Sequence, residues 1–151
     1  MAVNRERPYT QFNFLVDLGT GNPESIDAGF QEVSGIGTEV TVAEYRNGNE
    51  KENNVRKITG LNKSSDVTLK RGIVGTLTLF SWLNDIRRNG DAGGLRRVTV
   101  QLLSEDRQST ALTWQLYGAR IIKYTCGPMN AKGTDVAMEE MVLAYERLTI
   151  E

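Results

Sequence analysis

Glu139 and Glu140, a neighbouring pair of carboxylates, and Cys126, the single thiol, are the side chains whose types could carry chemistry in this sequence of 151 residues. Paired carboxylates work as general acid and base when both reach one reacting bond. In an extended strand neighbours point to opposite faces, so Glu139 and Glu140 do not share a site. A cysteine nucleophile needs its proton removed. The chain has no histidine, which takes away the commonest general base and metal ligand and every Ser/His/Asp or Cys/His arrangement. Cys126, followed by Gly127 and Pro128, therefore reads as an inert or simply exposed thiol. Carboxylate or lysine chemistry stays open on composition, but no constellation for it emerges.

The glycine-rich stretches do no better as ligand cradles. "GTGNPE" (residues 19–24) opens like a dinucleotide-binding turn but lacks the third glycine and a following helix, so it reads as a β-turn. "SGIGTE" (34–39) leads into a strand and cannot aim a helix N-terminus at a phosphate. In "GPMNAKGT" (127–134) Lys132 precedes Gly133, which breaks the P-loop order. Asn62 in "NKS" would matter as a glycosylation acceptor only in a secreted chain. Arg87 with Arg88, and Arg96 with Arg97, could meet phosphates, yet helix-end and strand-end charge explains both pairs. The expectation is a protein without catalytic residues, cofactor, metal site or specific nucleic-acid site, and not an enzyme.

Hydrophobic residues at 39% and charged residues at 25% are ordinary for a globular domain, and the length suits a single one spanning residues 1–151. No apolar run approaches the roughly 18 residues of a spanning helix, and no signal-peptide pattern is seen, so synthesis in the cytoplasm is expected. One cysteine rules out an internal disulfide framework. Charge is uneven. Residues 46–97 hold 11 basic and 5 acidic side chains, a net of +6. Residues 1–45 hold 2 and 7, a net of -5, and residues 98–151 hold 5 and 7, a net of -2. Either this is chance along a solvated surface, or a basic flank of one copy meets an acidic flank of the next.

The elements that would position these residues are mostly strands. Residues 10–18 put Phe12, Phe14, Val16 and Leu18 at alternate positions, with Gln11, Asn13 and Asp17 facing the other way. Short strands follow at 30–34 and 39–45, then at 55–59 and 66–71 around "GLNKSS". One helix is expected over about residues 76–89. Leu79, Phe80, Leu83 and Ile86 form its stripe with Trp82 on the edge, Thr76 or Thr78 caps its start, and Gly90 stops it. Trp82 and Trp114 read as core. Strands at 97–104, 111–125 and 134–150 finish the chain; the last two are long enough to be broken by a bulge or bend, with Gly118 the place in the first of them. The fold class is mainly β: two packed antiparallel sheets as a barrel or sandwich, with one flanking α-helix. Pro8, Pro23 and Pro128 fall in loops or the tail, so no proline protects a sheet edge, and edge pairing with another copy is reasonable.

One segment has nothing to bury. In "AEYRNGNEKENNVRKITG" (43–60), the residues Arg46, Asn47, Gly48, Asn49, Glu50, Lys51, Glu52, Asn53 and Asn54 include no apolar side chain. This extended polar loop lies between strand-like segments.

The order "AEYRNG", "DVTLKRGIVG", "LFSWLNDIRR", "VTVQLL" and "LTWQLYGARIIKYTCGPMNAKGTDVAMEEMVLAYERL" resembles the tail tube proteins of contractile phages. It is more similar still to the inner-tube proteins of extracellular contractile injection systems, the phage-tail-like particles. The resemblance runs from about Phe12 to Leu148 and implies a fold shared with haemolysin-coregulated secretion rings. It also implies hexameric rings, stacked into a tube with a wide polar lumen, which a contracting sheath drives through a target membrane. The partners implied are further copies, a sheath subunit, baseplate and tape-measure or terminator proteins, and protein cargo in the lumen, with the membrane only a target of the particle. Assembly in the bacterial cytoplasm and action within the particle follow. Carried over with "EYRNG", residues 46–54 would be an arm that contacts neighbouring subunits and gains its order there; a mobile hairpin tip is the alternative. Thr99, Gln101 and Asp17 are residues that could face a channel. The tube of a true contractile phage, conducting DNA, is the other reading, and a monomeric ligand-binding β-domain a third.

Overall fold

Where the sequence alternates apolar and polar side chains the chain is extended, and in most of those strands one set of side chains is buried. The structure, a computed structural model, describes residues 2–21 and 28–151; Pro23 and the part of the expected β-turn within 22–27 lie outside the described residues. The strands are β1 (Phe14–Asp17), β2 (Glu32–Ser34), β3 (Thr38–Tyr45), β4 (Arg56–Ser64), β5 (Val67–Gly72), β6 (Arg96–Leu103), β7 (Thr110–Cys126), β8 (Met138–Ala144) and β9 (Arg147–Ile150). Helices α1 (Thr78–Asn89) and α2 (Asp91–Gly94) separate β5 from β6.

All pairings are antiparallel. One sheet runs β1-β6-β7-β9 and a second runs β2-β5-β8-β7, so the 17-residue β7 serves both. Its first half pairs with β6 and β9 and its second half with β8, the change falling beside Gly118 at φ 64°. A Cβ on Gly118 would stand 2.9 Å from the Glu146 carboxylate. Arg120 closes this corner, donating to Glu146 Oε1 at 2.6 Å and to Asp91 Oδ2 at 2.8 Å.

Facing rows fill the space between the sheets. Val16, Val100 and Trp114 line up across the first sheet, and Val67, Leu143 and Ile121 across the second. The core adds Leu69, Val98, Leu116 and Met141, each essentially inaccessible to solvent. Helix α1 joins it through Leu79, Trp82 and Leu83.

Several expectations are corrected. Trp82, expected on the edge of the helical stripe, is at its centre and fully buried, its indole N–H donating to Gly94 O at 2.5 Å. Phe80 takes the edge, 44% exposed, in edge-on contact with Tyr124. Residues 79, 82, 83 and 86 follow the i, i+3, i+4, i+7 rule more closely than the expected set. Leu77 occupies the N-cap position with no side-chain cap bond; the Thr76 hydroxyl instead accepts from Arg71 at 3.1 Å. The expected strand at 134–150 is two strands, because the chain leaves the second sheet for the first at Tyr145 and Glu146. The expected strand at 55–59 continues through "GLNKSS", because pairing with β3 runs to Thr38↔Ser64. The subunit by itself is a sandwich with open edges rather than a closed barrel.

Glu139 and Glu140 do point to opposite faces, and the inward one is spoken for. Glu139 and its cross-strand neighbour Arg71 are 4% and 1% exposed and form an ion pair at 2.5 Å. Tyr124 donates its hydroxyl to the other oxygen of Glu139 at 2.5 Å, which raises the tyrosine above its ordinary pKa. These bonds compensate two charges that would otherwise be costly inside the body.

Candidate functional site

Strands β3 and β4 form a separate two-stranded sheet. Every residue of β3 is exposed, and so is all of β4 except Ser64. At about 3.3 Å per residue the ribbon is about 25 Å long. On one face lie the pairs Val40↔Asn62, Val42↔Thr59 and Glu44↔Lys57; on the other Glu39↔Lys63, Ala43↔Ile58 and Tyr45↔Arg56. A bulge between Val40 and Val42 inserts one extra residue in β4 opposite Thr41. Leu61, within it, is 82% exposed. Both faces thus carry apolar side chains in water and opposite charges across the strands. An isolated two-stranded hairpin is at best marginally stable in water, so this arm has the composition of a surface that something else covers.

The residues singled out in the sequence, 46–54, are the tip of this arm. Within the single chain they already hold one another. Arg46 donates to Glu52 O at 3.0 Å, to Glu50 O at 2.8 Å and to Asn53 Oδ1 at 3.5 Å. The Glu50 amide closes a turn on Asn47 O at 3.2 Å, and Tyr45 donates its hydroxyl to Asn47 Oδ1 at 2.5 Å. Arg56 pairs with Glu50 at 3.1 Å. One guanidinium therefore does for the tip what an apolar anchor would do elsewhere. Gly48, Asn49, Lys51 and Asn54 complete it as exposed residues.

At the root, residues 35–37 and 65–66 interrupt the ladders between body and arm. Gly35 has φ 90°, and a Cβ there would stand 2.5 Å from Asp66 O. Ser65 binds back with its amide on Gly37 O at 3.0 Å and its hydroxyl on Gly35 O at 2.9 Å. The Tyr145 hydroxyl donates to Gly37 O at 2.9 Å and accepts from Gly37 N at 3.2 Å. Sequence reading missed Tyr145 because nothing in the long 134–150 segment marks where its strand would break.

The channel candidates separate. Thr99 and Gln101 lie on the outward face of the first sheet, in register with Gln115 and Thr113. Gln115 is held there by Arg97, by Tyr117 at 2.8 Å and by Glu151 at 3.0 Å. Asp17 is in register with Thr99, but its carboxylate is used locally, accepting the amides of Gly19, Thr20 and Gly21 at 3.0–3.1 Å. The N-terminal segment, which precedes the stretch of resemblance, is strapped across the β6–β7 turn: Arg5 grips both oxygens of Glu105, and Val3 N donates to Ala111 O.

Beside the root, where Ser34, Gly35 and Ile36 form part of its wall, the two sheets part over an open cleft of about 1010 Å³ that Phe12, Phe14, Val33, Leu102 and Trp114 also line. Cys126 sits exposed at its rim. Among the described residues no three His, Cys, Asp or Glu side chains are grouped to hold a metal ion, and no helix is long and apolar enough to cross a membrane.

This architecture has known relatives. A chain of an extracellular contractile injection system, the PVC sheath-tube complex in its extended state, superposes with a TM-score of 0.81 at 26% identity, over 97% of this chain and 93% of that one. A chain of the PVC sheath/tube terminator gives 0.81 at 28% identity, over 97% and 98%. Hcp1 from Flavobacterium johnsoniae, at 10% identity and a TM-score of 0.54 over 91% and 93%, shares the fold. No curated protein sequence gives a significant match. The model of the T4-like virus tail tube protein gp19 family matches residues 10–149; the chain belongs to that family and is a structural tube subunit.

Proposed function

We propose that the chain is the inner-tube subunit of a contractile, phage-tail-like injection particle, in which six copies close into a ring and rings stack into a tube that a sheath drives forward. The observation that carries this is the arm: a ribbon about 25 Å long, exposed on both faces, with Val40, Val42, Ile58 and Leu61 in water. Complete burial of each such side chain is worth about 1.5–3 kcal/mol. Covering them against another copy supplies the missing packing without altering the body. The open edges of the two sheets add backbone donors and acceptors that ring closure would satisfy. The uneven charge, with β3 at the end of the acidic first segment and β4 in the basic middle one, sets register more than affinity.

Sheath, baseplate and terminator partners are supported by what the related chains assemble with: a sheath-tube complex, a sheath/tube terminator and the anti-feeding prophage baseplate. Residues 46–54 would then contact the neighbouring copy at the far end of the arm. The viral origin of the family model favours one other reading, the tube of a true contractile phage. Both need the same subunit and differ in what passes through the lumen.

The experiment is negative-stain microscopy of the purified wild-type chain and of a variant lacking residues 48–53, which removes the tip and leaves the body intact. Wild type should form six-lobed rings or tubes. The deletion should fold, with an unchanged thermal midpoint, and assemble poorly. Tubes of normal number and length from the deletion variant would refute the role of the tip.

A further inference from the structure

The arm is not a separate appendage but the continuation of two body strands. β2 runs into β3, and β4 runs into β5, so a single long hairpin crosses from the body into solvent. Its ladder breaks at the crossing. The last body pair is Ser34↔Thr68 and the first arm pair is Thr38↔Ser64, with residues 35–37 on one strand and 65–67 on the other between them. Gly35 takes its φ of 90° there, and the two chains approach closely enough that no Cβ would fit. A kink of this kind, short of ladder bonds, is where a two-stranded ribbon would swing.

One side chain from elsewhere in the fold reaches this kink. Tyr145 is 7% exposed and stands between β8 and β9, where the chain passes from one sheet to the other. Both hydrogen bonds of its hydroxyl go to the backbone of Gly37, one to the carbonyl at 2.9 Å and one from the amide at 3.2 Å. Gly37 O also receives the Ser65 amide, so Tyr145 binds the same carbonyl that joins the two strands at the root. The joint of the arm is thereby fastened to the corner that holds the two sheets together.

We infer that Tyr145 is a positioning residue: it sets the direction in which the arm leaves the body, and without its hydroxyl the 35–37 and 65–66 kink acts as a hinge. The lever makes this consequential. A swing of about 10° at the root carries the end of a ribbon about 25 Å long through about 4 Å. Hydrogen bonds tolerate only about 0.5 Å in length, so an arm that wanders this far cannot hold a repeating contact. The inference rests on the arm's proposed role in assembly for its functional consequence, but the clamp itself is a property of the single subunit.

Tyr145→Phe in the full chain removes the two bonds and keeps the buried ring. Hydrogen exchange of the unassembled subunit should show the Gly37 and Ser65 amides exchanging at least tenfold faster, with acceleration spreading into the arm. The β5–β8 ladder from Val67 to Gly72 and the thermal midpoint should be unchanged, which a merely structural role would not give. Tubes should be fewer and irregular in negative stain. Unchanged exchange at Gly37 and Ser65 overturns the clamp. Faster exchange with normal tubes leaves the clamp standing and removes the arm from assembly. If Tyr145→Phe does not fold, Ser65→Ala loosens the same joint from its exposed side by deleting only the bond to Gly35 O. It should speed exchange at the root about threefold, and no change there overturns the inference equally.

Discussion

Body and arm are written in the same alternating pattern and end in opposite circumstances. In β5, Val67, Leu69 and Arg71 are buried while Thr68, Lys70 and Gly72 are partly open. In β3, Val40 and Val42 alternate just as regularly, and each is about half exposed; Thr41 between them is exposed as well. The two strands share the period of 2, so alternation says that a residue set has a common face, not that the same chain covers it. What differs is company. β5 lies between β2 and β8 under the first sheet, whereas β3 has only β4. The body buries its core within one copy; the arm is ordered at its tip by Arg46 and at its root by Tyr145, and is left without a covering layer.

The strongest way to break the body, and so to test how much of the contrast is burial, is at its buried charges. Removing one partner of a buried ion pair leaves the other uncompensated and costs about 3–5 kcal/mol. Arg71→Ala and Glu139→Ala should each destabilise the subunit by that order in denaturant unfolding. The double change Arg71→Met with Glu139→Leu should recover most of it. A loss under 1 kcal/mol for either single change would mean that water reaches the pair, against its exposures of 1% and 4%.

A smaller effect is expected at the corner where β7 changes sheets. Gly118→Ala forces a side chain into φ 64° and against Glu146, a strain of about 1–3 kcal/mol. Thermal unfolding would read it as a lowered midpoint. An unchanged midpoint would show that the corner relaxes freely, and that the two sheets are less tightly joined than the Arg120 bonds to Glu146 and Asp91 suggest.

The arm should answer in the reverse sense. Ile58→Ser together with Leu61→Ser touches only exposed positions, so the unassembled subunit should change by no more than about 0.5 kcal/mol. Assembly followed by sedimentation should nonetheless fall, because these side chains face whatever covers the ribbon. Loss of stability in the subunit would place them against its own body; unimpaired assembly would remove them from the contact.

How much of this was legible in the sequence follows the same division. The strands at β5 and β6, the bend at Gly118 and the helix were readable, because local periodicity and one glycine specify them; which face of each strand turns inward was not. Trp82 was misplaced by one helical position, since helix rotation is fixed by the sheets it packs on and by an acceptor, Gly94 O, that no pattern announces. The tip was readable as a segment with no apolar side chain; its ordering by Arg46 was not, because backbone acceptors leave no sequence signal. Tyr145 was hidden for a similar reason. Its partner is the backbone of a residue 108 positions away, and its strand break depends on a change of sheet that only the fold reveals.

The least effect belongs to the N-terminal strap, which resembles the arm in exposure and the body in being tied down. Arg5 donates to both oxygens of Glu105 at 3.0 and 2.5 Å, and this bond is the main reason that Glu105 is lowered to about 2 from its ordinary 4.5. A carboxyl lowered in the folded state contributes its stability in full above its ordinary value. It loses that contribution as pH falls from there through about 2. Wild type and Arg5→Ala should therefore differ slightly at neutral pH and converge as the acid end is reached, by thermal unfolding at low salt. Because the pair is open to solvent, raising the salt should shrink the difference across the whole range. A gap between the two proteins that persists undiminished near pH 2 would show that Arg5 holds the strap through its other contacts, the carbonyls of Arg7 and Pro8 and the ring of Tyr9, rather than through its charge.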